Sequence, residues 1–182
     1  LLRRGGRLGL VLPWGLASDH GSAALRRLLF ERCDTDAIVG FENSGGIFPI
    51  HRGVRFLLLS ASPGSATREV RCRLGERDPA VLEEADGGLD GGAARDRGVT
   101  LTPALLRRMS GPGLAIPYLT GRPELQLVER LVAAYPGLAD GRGWGARFGR
   151  ELNRSDDTPL FSRRRTGMPV VEGKHIDPFG VR

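Results

Sequence analysis

Arg7-Leu8-Gly9-Leu10-Val11-Leu12-Pro13 is a short apolar run closed by proline, the pattern of a buried strand. The residues after it set its company. Ser22 is placed to cap a helix in which Leu25, Leu28 and Leu29 recur at helical spacing, with Arg26, Arg27 and Arg32 expected to face outward. Asp36-Ala37-Ile38-Val39-Gly40-Phe41 then reads as a second strand. Strand, helix and strand at these spacings predict a βαβ unit and a parallel sheet.

The rhythm then changes. Glu42-Asn43-Ser44-Gly45-Gly46 is a turn cluster, followed by Ile47-Phe48-Pro49-Ile50 and a strongly apolar strand from Val54 to Ser60. Too few residues intervene for a crossover helix, so this pair should run antiparallel. Arg68 to Leu74 adds a more polar strand, since Val70, Cys72 and Leu74 alternate with Arg71 and Arg73. From Asp86 to Gly98 the composition falls to little but Gly, Asp, Arg and Ala. So little apolar surface does not repay ordering entropy, which predicts a mobile loop and a domain boundary. Thr102-Pro103 opens a helix by the cap-then-proline rule. Pro123 opens another, with Leu125, Leu127, Val128, Leu131 and Val132 largely on one side and Pro136-Gly137 as its stop. Met168 to Glu172 reads as a strand leading into Gly173-Lys174, and there is no internal repeat.

Bulk properties narrow the classes. At 182 residues, 40% hydrophobic and 26% charged, the chain suits one compact domain or parts of two. No apolar stretch approaches the ~18–20 residues of a membrane-spanning helix; the longest, Val54 to Ala61, is broken by Arg55. Leu1-Leu2-Arg3-Arg4-Gly5-Gly6 lacks the apolar core of a signal peptide, and both ends read as cuts through a longer protein. The net charge of +6 suits a polyanionic partner. Lys174 is the only lysine, however, and such an arginine bias also comes from a G+C-rich genome. Cys33 and Cys72 have no CxxC spacing and His20, His51 and His175 no metal-ligand spacing. That argues against a disulfide framework or zinc site, and the expected compartment is a reducing cytoplasm.

The order of these elements resembles the closing half of the class I methyltransferase fold, as found in gamma-class adenine-specific DNA methyltransferases. Gly5-Gly6-Arg7 through Pro13 is similar to that family's fifth strand. Leu25-Arg26-Arg27-Leu28-Leu29 matches the helix after it. Phe41-Glu42-Asn43 through Ile47-Phe48-Pro49 fits the strand ending in an aromatic-Pro element, and Arg55 to Leu59 the antiparallel seventh strand. Farther on, Trp144, Arg150-Glu151-Leu152-Asn153, Asp156-Asp157, Phe161 and Pro169 to Lys174 resemble the entry into the specificity domain of restriction-modification methylases, notably the large single-chain kind. The resemblance implies an α/β fold. Residues 1–78 would be the C-terminal half of a Rossmann-like sheet with an antiparallel last strand, and 79–112 a flexible connection. Residues 113–182 would be the truncated start of an α+β target-recognition domain.

The implied activity is transfer of methyl from S-adenosyl-L-methionine to the exocyclic amine of adenine in double-stranded DNA. That amine cannot be reached inside a duplex, so the base is rotated into a pocket. An aromatic side chain then replaces its lost stacking, worth ~1–3 kcal/mol. In the family that aromatic belongs to the aromatic-Pro element, here Phe48 with Pro49. The plain alternative is a core phenylalanine beside a turn. His51 and Arg52 follow at the pocket's rim, where phosphate contacts fix register without reading sequence. They suit an exposed, solvated turn equally. Arg163-Arg164-Arg165 and Lys174 are DNA-contact candidates on the same terms.

The family's two catalytic elements, a glycine-rich cofactor loop and an Asn/Asp-Pro-Pro-Tyr/Phe stretch, do not occur. Gly5-Gly6 precedes its strand, Asp177-Pro178-Phe179 lacks one proline, and Ile116-Pro117-Tyr118 has no amide or acid. In the family both lie upstream of the strand at Leu8. The cofactor site and the catalytic residues are therefore expected outside this chain, which alone should be inactive. A non-catalytic DNA-recognition module is the alternative, and a nuclease in the same full-length protein is compatible with the family. A third reading takes Asp157, Glu172 and Lys174 as a magnesium nuclease site. A magnesium-dependent cleavage assay on Glu172→Ala against the parent decides it: a nuclease loses its cleavage, and equal activity removes this reading.

Overall fold

The computed structural model describes residues 3, 5–87, 98–147, 149, 152–153, 155–162, 167–168, 176–177 and 180–181. The chain divides into two compact units, Leu1–Gly145 and Ala146–Arg182.

In the first unit the elements run β1 (Leu8–Pro13), α1 (Gly15–Ser18), α2 (Ala23–Arg32), β2 (Cys33–Glu42), β3 (Arg55–Pro63), β4 (Val70–Glu76), β5 (Gly98–Leu101), α3 (Pro103–Ser110) and α4 (Arg122–Ala134). The five strands form one mixed sheet in the order β1-β3-β2-β4-β5. β3 runs antiparallel to both neighbours, Leu10 opposite Leu59 on one side and Ile38 opposite Leu59 on the other. β2 and β4 pair in parallel, and β4 and β5 antiparallel. β1 and β2 therefore point the same way, as a helical crossover requires. They do not pair with each other, which corrects the expected all-parallel start. The crossover leaves a strand-wide gap, and the short connection 43–54 turns β3 back into it.

Alternation along the strands separates two faces. On one, Ile38, Leu57, Leu59, Ala61, Val70, Cys72, Leu74, Val99 and Leu101 form a core with Leu16, Ala17, Leu29, Phe30, Leu106, Leu114, Ile116 and Leu119. Each fully buried aliphatic side chain there contributes about 1.5–3 kcal/mol. On the other, Val39, Phe41, Phe56 and Val81 form a smaller cluster with Ile47 and Leu58. The expected connection at 79–112 thus includes Val81, Val99, Leu101 and Leu106, whose apolar side chains are buried against the sheet. Its Gly-rich centre, 88–97, is outside the described residues.

The α2 face differs from its sequence pattern. Leu25 is 46% and Leu28 53% exposed, whereas Arg26 is 2% exposed. The guanidinium accounts for this. Arg26 Nε donates to the carbonyl of Gly113 at 2.7 Å, and Nη1 to those of Leu16 and Asp19, each at 2.8 Å. A buried carbonyl without a donor is costly, and only a long, multiply donating side chain reaches all three. Ser22 makes no side-chain cap bond. Thr102 does, accepting from the Leu105 N–H at 3.2 Å with Pro103 in the first turn. Along α4, Leu125 and Val128 lean on the core while Leu127 and Leu131 are 53% and 48% exposed.

The second unit has a single 3-10 turn at Thr158–Leu160 and a two-residue antiparallel pairing of β6 (Ile176–Asp177) with β7 (Gly180–Val181) among its described residues. Most of the strand expected at 168–172 falls outside them.

Replacing Arg26 by Leu should destabilise the chain by about 2–3 kcal/mol in urea unfolding, because charged hydrogen bonds to three carbonyls are lost together. Arg27→Leu, at an exposed position, should stay within about 0.5 kcal/mol of the parent.

Candidate functional site

The carboxyl ends of β1, β2 and β4 converge at one end of the sheet beside the amino end of β3. There Pro13 lies opposite Phe56, Glu42 opposite Arg55 and Phe41 opposite Glu76. In open α/β sheets this is the end at which ligands are held. Successive side chains of β3 point to opposite faces, so Phe56 and Arg55 each anchor a different half of the site.

On the Phe56 side the connection 43–54 carries Phe48. Its ring is 39% exposed and meets Phe56 edge-on, with centroids 4.8 Å apart and planes at 70°. Phe41 stacks on Phe56 at 5.2 Å and 10°. Phe48 is therefore in contact with the Phe56 ring and partly open to solvent. Such aromatic pairs add about 0.5–1.5 kcal/mol beyond area burial, enough to hold an exposed ring in one orientation. Pro49, Ile50, His51 and Arg52 follow on the same loop, all exposed. His51 Nδ1 accepts from the Gly53 N–H at 3.1 Å, and Arg52 Nη1 donates to the Ser44 carbonyl at 3.3 Å. The structure thus gathers Phe48, Pro49, His51 and Arg52 at one rim. Arg163, Arg164, Arg165 and Lys174 lie outside the described residues. Asp157 is described, and its Oδ2 accepts from the Asn153 N–H at 2.6 Å.

The loop turns around Asn43, which is fully buried. Its Oδ1 accepts from the Phe48 N–H at 2.8 Å, while Nδ2 faces the carbonyls of Phe48, Ile50 and His51 at 3.1, 3.3 and 3.4 Å. In the sequence Asn43 belongs to a turn cluster and to the run from Phe41 to Pro49, with no role of its own. The signal was there: an asparagine directly after a strand and before Gly-Gly commonly bonds nearby backbone.

On the Arg55 side lies a cluster that the sequence reading did not assemble. Glu42 Oε1 accepts from the Tyr118 hydroxyl at 2.8 Å, Oε2 accepts from Arg77 at 2.9 Å, and Arg55 stands 3.7 Å from Oε1. The Arg55 guanidinium carbon lies 4.6 Å from the centre of the Tyr118 ring, and Trp14 packs edge-on against that ring at 5.3 Å. Two glycines make room. A Cβ on Gly75, at φ +85°, would meet the Tyr118 hydroxyl at 2.9 Å. One on Gly40 would meet Leu74 at 2.9 Å and Trp14 at 3.0 Å. The hydrogen bond from Tyr118, then that from Arg77, holds the Glu42 carboxyl below the usual carboxylate range. Burial, then the bond to Glu42, pushes the Tyr118 phenol above its ordinary value.

No protein-family model matches this chain, and no curated protein does. Solved structures do resemble it. One is a chain from a structure of a type I R-M system, 15% identical with a TM-score of 0.50, over 71% of this chain and 33% of that one. Another is the M protein of the type I restriction enzyme EcoKI, 17% identical with a TM-score of 0.45, over 86% of this chain and 44% of that one. This chain thus spans about a third of the first and under half of the second. At 15% identity, the first likeness is one of fold.

The coupling of Glu42 and Tyr118 gives a measurable pH signature. In a spectrophotometric titration, the phenol signal lost in Tyr118→Phe should ionise above the usual value of about 10 and move down in Glu42→Gln. Because the folded-state pKa of Glu42 is lowered, its contribution to stability is present above the ordinary carboxylate range. The stability difference between parent and Glu42→Gln should therefore shrink as pH falls below about 4.

Proposed function

We propose that this chain forms one rim of the adenine pocket of a restriction-modification DNA methyltransferase that uses S-adenosyl-L-methionine. The observation that carries the reading is Phe48, an exposed aromatic ring held on Phe56 at the ligand-binding end of a sheet in which β3 is inserted antiparallel between β1 and β2. That strand arrangement accords with the sequence resemblance to the closing half of the class I methyltransferase fold. The fold likeness to a chain of a type I R-M system adds support from an independent direction.

The chemistry follows from the ring's setting. An adenine rotated out of a duplex loses both neighbours in its stack. The Phe48 face offers a replacement, with an edge-on partner below that keeps it from tipping. Pro49 stiffens the backbone after it, since proline fixes φ. His51 and Arg52, exposed on the same loop, suit the phosphates that flank the extruded nucleotide. The methyl acceptor is the exocyclic amine, and no covalent enzyme intermediate is involved.

The described residues at this end of the sheet do not fit the cofactor. Trp14 packs over Gly40 just beyond the carboxyl end of β1, and Tyr118 and Arg77 fill the end of β2 around Glu42. Neither strand end offers the open glycine turn that such a cofactor needs. The cofactor and the polar groups that align the amine would be held by residues other than these. β1 accords with this. It is an edge strand with no charged residue, and its Leu10 and Val11 are 42% and 55% exposed. Edge strands are ordinarily blunted by charge or bulges, whereas Leu-Gly-Leu-Val-Leu is the composition of an interior strand. A neighbouring strand on that edge would complete the sheet.

The finer assignments rest on the sequence resemblance: the gamma class, the large single-chain kind with its accompanying nuclease, and residues 113–182 as the start of a target-recognition domain. In the complete protein, Phe48→Ala should slow adenine methylation of duplex DNA about ten-fold or more, matching ~1–3 kcal/mol of lost stacking. Overall DNA affinity should change less than about two-fold. Unchanged turnover would remove the base-stacking role of Phe48.

A further inference from the structure

We propose that Asn43 is the positioning residue of this rim: its carboxamide fixes the loop at 48–51 in register and so aims the Phe48 ring at the base. The inference rests on Phe48 being the face that receives the adenine.

Asn43 closes the loop at three levels. Its N–H donates to the Val54 carbonyl at 3.1 Å, which pins the neck where β2 and β3 part. Its carbonyl accepts from the Gly46 N–H at 2.9 Å, which sets the first turn. Its side chain fills the interior, with one acceptor contact and three carbonyls facing Nδ2. An amide nitrogen carries two hydrogens, so three carbonyls share two donors. These oxygens come from Phe48, Ile50 and His51, and the side chains of the same three residues are exposed. Drawing the carbonyls inward is what turns the side chains outward. The loop has few other constraints: Ile50 N–H to the Phe48 carbonyl, Val54 N–H to the His51 carbonyl, and the contacts of Arg52 and His51.

The chemistry is particular to asparagine. Aspartate would place a charged acceptor among three carbonyl oxygens. Alanine would leave the Ile50 carbonyl and the Phe48 N–H without a partner inside the loop, and the Phe48 and His51 carbonyls with only their backbone donors. Apolar packing of the loop comes from Ile47 and Phe48 on the Phe56 cluster, separate from the main core behind the opposite face. Losing the amide should therefore loosen the loop while the sheet stays folded, the behaviour of a locally unfolding unit.

The test uses the complete methyltransferase with plasmid DNA as substrate, comparing the parent with Asn43→Asp, Asn43→Ala and Phe48→Ala. At pH 8, Asn43→Asp should lower kcat about ten-fold with KM for DNA changed less than two-fold. Amide hydrogens of 46–54 should exchange faster while those of β2 and β3 keep the parent's protection. At pH 6 the buried carboxyl of Asn43→Asp, destabilised as an anion by the surrounding carbonyls, takes up a proton and regains a donor. The kcat ratio of Asn43→Asp to parent should then recover, and that of Asn43→Ala should not. A role limited to filling space predicts no such difference. The charged and titratable groups around the loop, His51, Arg52, Glu42, Arg55 and Arg77, are the same in every variant, so each rate is expressed relative to the parent. If Asn43→Ala does not fold, the pH recovery of Asn43→Asp alone carries the comparison. Unchanged exchange at 46–54, or unchanged kcat in the Asn43 variants while Phe48→Ala is slow, overturns the positioning role and leaves the Phe48 reading intact. A Phe48→Ala enzyme as fast as the parent overturns both.

Discussion

β3 is bonded along both edges, and the rest of the first unit depends on that. Leu57, Leu58 and Leu59 lie opposite Leu12, Val11 and Leu10 of β1 and opposite Gly40, Val39 and Ile38 of β2. A strand in this position satisfies every main-chain group through two neighbours and hides side chains on both faces, which is why Arg55 to Pro63 is so rich in leucine. It also decides where the site can be. Because β3 starts where β1, β2 and β4 end, its first two residues, Arg55 and Phe56, present a cation to one face of the sheet end and an aromatic ring to the other.

Those two halves are built on opposite principles. Around Arg55 the site is closed: Glu42, Tyr118, Arg77 and Trp14 satisfy one another, and Gly40 and Gly75 exist to let them approach. Around Phe56 it is open, with Phe48 supported on one side only and His51 and Arg52 exposed beside it. The closed half binds the segment carrying Tyr118 to the sheet; the open half leaves Phe48, His51 and Arg52 exposed. Asn43 stands where they join, directly after Glu42, so one turn of backbone serves both.

Several elements were legible from local pattern. The apolar runs at Leu8–Pro13 and from Val54 to Ser60 and the Thr102-Pro103 helix start follow from periodicity and proline chemistry, whereas the expectation for Phe48 came only from the family resemblance. The α2 face was not, because helical spacing treats every arginine as solvent-facing. Arg26 is buried by carbonyls from Leu16, Asp19 and Gly113, the last of them 87 residues away. The reach of the first unit to Gly145 was hidden in the same way, since the Gly-rich composition at 86–98 says nothing about whether Val99, Leu101 and Leu106 return to the sheet.

By itself, then, the sequence determined which segments are apolar enough to be strands, where helices can begin, and which aromatic and basic residues share a loop. Such properties are written into neighbouring residues. Only the tertiary structure decided that β3 separates β1 from β2, that Tyr118 meets Glu42 across 76 residues, and that Asn43 draws three carbonyls inward beneath Phe48. Each of these is a choice of partner. Hydrogen-bonding capacity is a property of the residue, but the distance and direction of its partner are set only once the sheet has closed around it.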